Sequence, residues 1–148
     1  MVASYTKDEL LIAVLARLLR DARFIAVGAS SPIPGSAALL AQAIAGSDVR
    51  VNVLGSRSHN FFTDGQRELF DCAAQGRVDA FFLGGGQIDG RANLNLVGIG
   101  EYPRSKARFP GSFGSAYLYF LVPRVILFRE EHTPRVLVPK ATPLISSI

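Results

Sequence analysis

The segment Val78–Leu83 (VDAFFL) is nearly all apolar and runs straight into Gly84-Gly85-Gly86. A strand with so little polar alternation needs cover on both faces, as in a parallel sheet packed between helices. Other segments repeat the arrangement. Phe24–Val27 is a short apolar run ending at Gly28, and Val49–Leu54 alternates up to Gly55-Ser56. Helical patterns fall between them. Thr6-Lys7-Asp8-Glu9 is a capping box, after which Leu10, Leu11, Val14, Leu15, Leu18 and Leu19 recur on one apolar face. A second helix is predicted from Gly35-Ser36 to about Ala45. A third is predicted over Asp64–Gln75, with Leu69, Phe70 and Ala73 on one side and Gly76 as its cap. Leu94–Ile99 reads as a further strand, Ala116–Leu121 as a short helix, and Val125–Phe128 and Val136–Val138 as closing strands. This alternation predicts an α/β fold with a largely parallel sheet flanked by helices, in a single domain over residues 1–148.

The charge balance narrows the class of ligand. Sixteen basic and twelve acidic residues give +4, but the densest basic cluster is only Arg104, Lys106 and Arg108, without the interleaved stacking aromatics of a nucleic-acid surface. A small anionic ligand suits this excess better. The single cysteine, Cys72, rules out an internal disulfide, and His59 and His132 stand too far apart for metal-ligand spacing, so no metal is expected. No run approaches the ~18 apolar residues of a membrane span; the longest, Tyr117–Phe128, is interrupted by Pro123 and Arg124. Lys7, Asp8 and Glu9 precede the first apolar run, unlike a signal peptide, and a cytoplasmic location is expected.

The stretch Ala80–Gly100 (AFFLGGGQIDGRANLNLVGIG) carries the strongest hint of a site. Open parallel sheets bind ligands beyond the carboxyl ends of their strands, where glycine turns and helix N-termini present backbone amides to oxyanions. Gly28, Gly55, Gly84–Gly86 and Gly111–Gly114 are such turns; for any one of them, a tight turn is the plainer reading. Nucleotide fingerprints fail on inspection. Gly84–Gly86 is not followed by Gly-Lys-Ser/Thr, and Gly98-Ile99-Gly100 has Pro103 where a dinucleotide motif has glycine. Ser30, Ser31, Ser36, Ser56, Ser112 and Ser115 all lie outside a Gly-x-Ser-x-Gly elbow. Asp64, Asp89 and Glu101 are the carboxylates near glycine turns, each by default a cap or a surface charge.

An ordered set of fragments resembles the β subunits of family I coenzyme A transferases, of the glutaconate CoA-transferase β type. The set runs through Tyr5-Thr6, Val27-Gly28, Pro32–Gly35, Val51–Val53, Gly84-Gly85-Gly86-Gln87-Ile88-Asp89, Asn93-Leu94-Asn95, Ile99-Gly100-Glu101-Tyr102 and Arg108-Phe109-Pro110-Gly111-Ser112, and covers about residues 5–140. The resemblance implies a NagB/RpiA/CoA-transferase-like fold, an α-type partner subunit in an α2β2-type assembly, and a site at their junction. It implies coenzyme A or acyl-CoA as substrate, with no permanently bound cofactor. It also implies that Gly28, Gly84, Gly85, Gly86, Gln87, Gly111 and Gly114 bind it.

In the family a β-subunit glutamate attacks the thioester from the end of the second strand. This chain has Val51-Asn52-Val53-Leu54-Gly55-Ser56 there, which puts Val53, or Leu54 or Asn52 after a one-residue slip, at the nucleophile position. None can form an acyl anhydride. The catalytic residue is therefore unassigned in this chain. Two readings follow: a subunit acting on acyl-CoA, by transfer or by hydrolysis or ring cleavage, with the glutamate supplied by the α subunit; or a non-catalytic scaffold or binding subunit. Family β subunits generally continue beyond the point where this sequence stops, and Thr142–Ile148 no longer resembles them.

Overall fold

Helix α1 (Lys7–Leu18) begins as its capping box dictates: Glu9 N donates to Thr6 Oγ1 at 3.2 Å and Thr6 N donates to Glu9 Oε2 at 2.7 Å. The computed structural model describes residues 4–46, 48–101 and 103–141. Tyr102 and the Thr142–Ile148 tail lie outside the described residues. The described residues within 1–82 and 121–126 gather into one compact unit, and those within 83–120 and 127–148 into another.

Strands β1 (Phe24–Val27), β2 (Arg50–Val53), β3 (Ala80–Leu83) and β8 (Arg124–Leu127), all in the first unit except for the terminal Leu83 and Leu127, form a sheet in the order β2-β1-β3-β8. β1 runs parallel to β2, with Val27 opposite Val53, and parallel to β3, with Ala26 opposite Phe81. The parallel, doubly covered sheet is the one the sequence predicts: all four residues of β1 and of β3 are buried. Asp79, the one polar residue of the VDAFFL run, aligns this sheet. Its Oδ2 accepts from Arg23 N and Phe24 N, each at 2.8 Å, which fixes where β1 starts against β3.

Helices α2 (Pro32–Ala45) and α3 (Gln66–Ala74) complete this unit. α2 starts before the predicted Gly35-Ser36 because Pro32 occupies its first turn, where no amide is needed. Gly76, two residues past the end of α3, has φ +67°, which suits the glycine predicted to cap that helix. Leu19, Ile25 and Leu69 are fully buried, each contributing about 1.5–3 kcal/mol relative to exposure. The predicted apolar face of α1 is only half used. Leu15 and Leu19 are buried, whereas Leu10, Val14 and Leu18 remain 46–52 % exposed.

The second unit is built from short strands. β4 (Gln87–Asp89) lies between β5 (Leu94–Asn95), antiparallel to it, and β9 (Leu137–Val138), parallel to it. β6 (Gly98–Ile99) pairs antiparallel with β7 (Ala107–Arg108), which falls within the basic cluster of Arg104, Lys106 and Arg108. Helix α4 (Ser115–Leu121) follows. The predicted continuous strand Leu94–Ile99 is broken in two. Asn95 Oδ1 accepts from Val97 N at 3.1 Å and Gly98 N at 3.2 Å, which turns the chain where a strand would continue. Among the described residues no helix is long and apolar enough to cross a membrane.

Candidate functional site

In the first unit the carboxyl ends of β1 and β2 bring Gly28 and Gly55 to one edge. After Gly28 the backbone enters Ser30, at φ +55°, and then α2, which starts with Pro32 and carries no side-chain cap. Gly28 is not sterically required: a Cβ there would meet only Ser31 Oγ, at 3.8 Å. Leu54 N donates to Val27 O at 2.9 Å, so the turn after β2 is strapped to the end of β1. Gly55 does need its glycine, with φ +77°.

The nucleophile position is occupied by packing. A Cβ on Gly35 of α2 would lie 3.8 Å from a Val53 methyl, so Val53 faces that helix, and both Val53 and Leu54 are half-buried. Asn52 faces the opposite side of the strand by alternation. It is fully buried, its Oδ1 accepts from Phe61 N at 3.0 Å, and its Nδ2 has no partner among the described residues. It therefore holds the loop after β2 and offers no nucleophile. None of Asn52, Val53 and Leu54 supplies a carboxylate.

The second unit brings Gly84, Gly85, Gly86, Gln87 and Gly111 around the segment Asn95–Val97. Gly86 N donates to Asn95 O, Phe109 N to Val97 O and Gly111 N to Leu96 O, each at 2.9 Å. The three successive glycines sit in close packing, which is tightest at Gly86. A Cβ on Gly84 would lie 3.3 Å from Phe128 O, and one on Gly85 would lie 2.8 Å from Leu94 Cδ2. At Gly86 the ring of Phe109 fills the space a Cβ would take. Gly111 and Gly114 both have φ +88°, and the second of them precedes α4.

Gln87 is oriented by a residue that sequence reasoning missed. Asn95 is fully buried, and because its Oδ1 accepts two backbone amides, its other end must be the amide nitrogen. That Nδ2 donates to Gly98 O at 2.7 Å and to Gln87 Oε1 at 2.8 Å. Gln87 Oε1 is thereby committed. Its Nε2, with two donors, has no partner among the described residues, so the half-buried glutamine has a donor end to offer a ligand. Asn95 lies within the Asn93-Leu94-Asn95 fragment, and only its register opposite Gln87 shows its role.

The carboxylates near the turns are occupied elsewhere. Asp89 accepts from Arg91 N at 2.9 Å, Asn93 N at 3.0 Å, Asn93 Nδ2 at 2.9 Å and Ala141 N at 3.1 Å. The Asn93 amide, followed by the Ala141 backbone, holds its carboxyl well below the usual range. Asp64 pairs with Arg67 at 3.1 Å on the surface, and Glu101 is exposed. His59 and His132 are exposed, and no three potential metal-binding side chains cluster among the described residues.

A family model described as coenzyme A transferase matches residues 9–142. The chain is 26% identical over 151 residues to a 3-oxoadipate CoA-transferase subunit of Pseudomonas knackmussii, a match covering 88% of this chain and 57% of that protein. The crystal structure of the decarboxylase AibA/AibB superposes with a TM-score of 0.81 at 27% identity, covering 93% of this chain and 65% of the other. Glutaconate coenzyme A-transferase from Acidaminococcus fermentans shares the fold, with a TM-score of 0.75 at 21% identity over 93% of this chain and 60% of its own. The chain thus spans somewhat over half to just under two thirds of the length of these relatives.

Proposed function

The chain belongs to the coenzyme A transferase family, and from that premise we propose that it is the β-type subunit of an enzyme acting on an acyl-CoA thioester, with the catalytic carboxylate contributed by an α-type partner. The observation that carries this reading is the contrast between its two candidate regions. The end of β2 has Val53 and Leu54 where a carboxylate nucleophile is required, while the Gly84–Gln87 turn keeps a glutamine oriented by Asn95 with its donor end uncommitted.

A thioester carbonyl, or a carboxylate on the acyl chain, is an acceptor that Gln87 Nε2 can bind. Fixed donors at such an oxygen gain strength in a site that excludes water. The family resemblance supports coenzyme A as a substrate and an α2β2-type assembly. Partner binding also accounts for two apolar faces. In the first unit these are Leu10, Val14 and Leu18 of α1; in the second, Phe113 before α4 with Tyr117 and Phe120 on it. Decarboxylation joins transfer, hydrolysis and ring cleavage as a reaction class to test, since a decarboxylase of known structure is 27% identical to this chain.

A scaffold role is the second reading, and the filled glycines favour it. Leu94 and Phe109 of this same chain occupy the space beside Gly85 and Gly86, so these glycines serve packing whether or not a ligand binds.

Reconstitution with an α-type subunit of the family tests both. Acyl-CoA turnover by the complex, in transferase, hydrolase or decarboxylase assays, that falls at least tenfold in Gln87→Ala supports the catalytic reading. Full activity in Gln87→Ala shows that this turn is scaffold, and no turnover in any assay overturns the enzymatic role.

A further inference from the structure

At the amino ends of β1 and β2, opposite the glycine turns of the same strands, lies a cleft of about 400 Å³. Phe24 and Arg50, the first residues of the two strands, sit side by side in register. The Arg50 guanidinium carbon stands 4.8 Å from the Phe61 ring centre and 5.5 Å from that of Phe24. Phe61 and Phe62 meet edge to face at 4.8 Å.

The aromatic wall is built rather than draped. Phe61 N is held by the buried Asn52 and Phe62 N by Asn60 Oδ1 at 3.2 Å, while Thr63 Oγ1 donates to Glu68 of α3 at 2.6 Å. Across the cleft Arg77 Nη2 donates to Cys72 Sγ, at 3.0 Å. Among the described residues neither Arg50 nor Arg77 pairs with a carboxylate. Of the two acids lining the cleft, Glu68 is committed to Thr63 and Asp64, which leaves Asp71 as an acceptor.

We propose that this cleft binds a planar ring carrying one oxyanion, either a phosphate or a carboxylate. The ring would stack on Phe61 and the Arg50 plane, the oxyanion would take the arginine donors, and Asp71 would accept from a ring N–H or amine. The space suits a ligand of that size. The site is separate from the acyl-CoA reading and does not depend on it.

Calorimetric titration of the full chain with adenosine monophosphate, benzoate, adenosine and inorganic phosphate tests the assignment. Saturable binding of adenosine monophosphate or benzoate with Kd below about 1 mM is expected, and the tighter of the two identifies the oxyanion. Adenosine and phosphate alone should bind at least about tenfold more weakly. Arg50→Gln and Phe61→Leu, both at exposed side chains, should each weaken binding at least about tenfold with the melting temperature retained. Absence of saturable binding for both ring-bearing anions overturns the proposal, as does binding that both variants leave unchanged. Phosphate alone binding as tightly as either overturns the ring component.

Discussion

Asn95 Nδ2 donates to Gln87 Oε1 at 2.8 Å, and this bond decides which end of the glutamine amide is left for a ligand. The decision is forced from behind, because Val97 N and Gly98 N already claim the Asn95 oxygen. Asn95→Ala is expected to strand both amides and the Gly98 carbonyl at a buried position, lowering stability by about 2–4 kcal/mol in urea denaturation. Asn95→Asp keeps the two acceptances and loses both donations, so Gln87 should turn its Nε2 inward. Side-chain amide NMR reads that reversal directly: an unchanged Gln87 Nε2 resonance in Asn95→Asp would contradict the orienting role.

Gly86 and Phe109 form a second coupled pair. A methyl on residue 86 enters the space of the Phe109 ring, so Gly86→Ala should cost about 1–3 kcal/mol by overpacking. Shortening the ring relieves the clash. The double variant with Phe109→Ala should recover at least part of that cost, giving a coupling energy of about 1 kcal/mol or more in a double-mutant cycle. Strict additivity of the two substitutions would show that the ring does not constrain the glycine.

Much of the first unit was legible because local chemistry decides it. Phe24–Val27 is apolar throughout and stops at glycine, and the Thr6–Glu9 pair caps α1 as read. The departures arise where a side chain acts beyond its own neighbours. Asn95 breaks a strand that hydrophobicity alone carries through to Ile99, and its hold on Gln87 depends on the pairing of β4 with β5. Periodicity marks Leu10, Val14 and Leu18 as apolar yet cannot say that α1 leaves them uncovered. The candidate site was half legible. The glycine motif was visible as a motif, whereas the reason for its glycines lies in Leu94, Phe109 and the Phe128 carbonyl, which only the folded chain brings beside them.

Val53→Glu tests whether the end of β2 still borders an active site. The new carboxylate would replace a half-buried methyl pair beside Gly35, at an expected cost of about 1–2 kcal/mol. If acyl-CoA reaches it, its oxygen attacks the thioester carbonyl, expels the CoA thiolate and leaves an acyl anhydride. Attack by that thiolate on the glutamyl carbonyl then releases the free acid and forms a glutamyl-CoA thioester. Intact-mass analysis of the reconstituted complex should show a CoA adduct on this chain, removable with hydroxylamine. A folded variant that turns over acyl-CoA but gains no adduct would place the chemistry away from β2.

Acid stability follows from two carboxylates of the second unit. Asp89 is held well below its ordinary value by the Asn93 side chain and the Ala141 backbone. The side-chain bonds of Glu131 to Arg135, at 2.7 Å, and to Thr133 lower it to about 2. Both folded-state values lie below the unfolded ones. Their stabilisation is therefore complete above the unfolded range, near 4.5 for glutamate, and is lost as pH falls through the folded values. Melting temperature should hold steady from pH 7 to about 5 and then drop. Near pH 3 these two groups should make unfolding take up about two protons, and Asp89→Asn should remove about one of them. The same variant should be less stable at neutral pH: if its oxygen keeps Arg91 N and Asn93 N, its amide nitrogen faces the two other donors, Ala141 N and Asn93 Nδ2. Proton uptake that Asp89→Asn leaves unchanged would mean that this carboxylate titrates alike in the folded and unfolded chain.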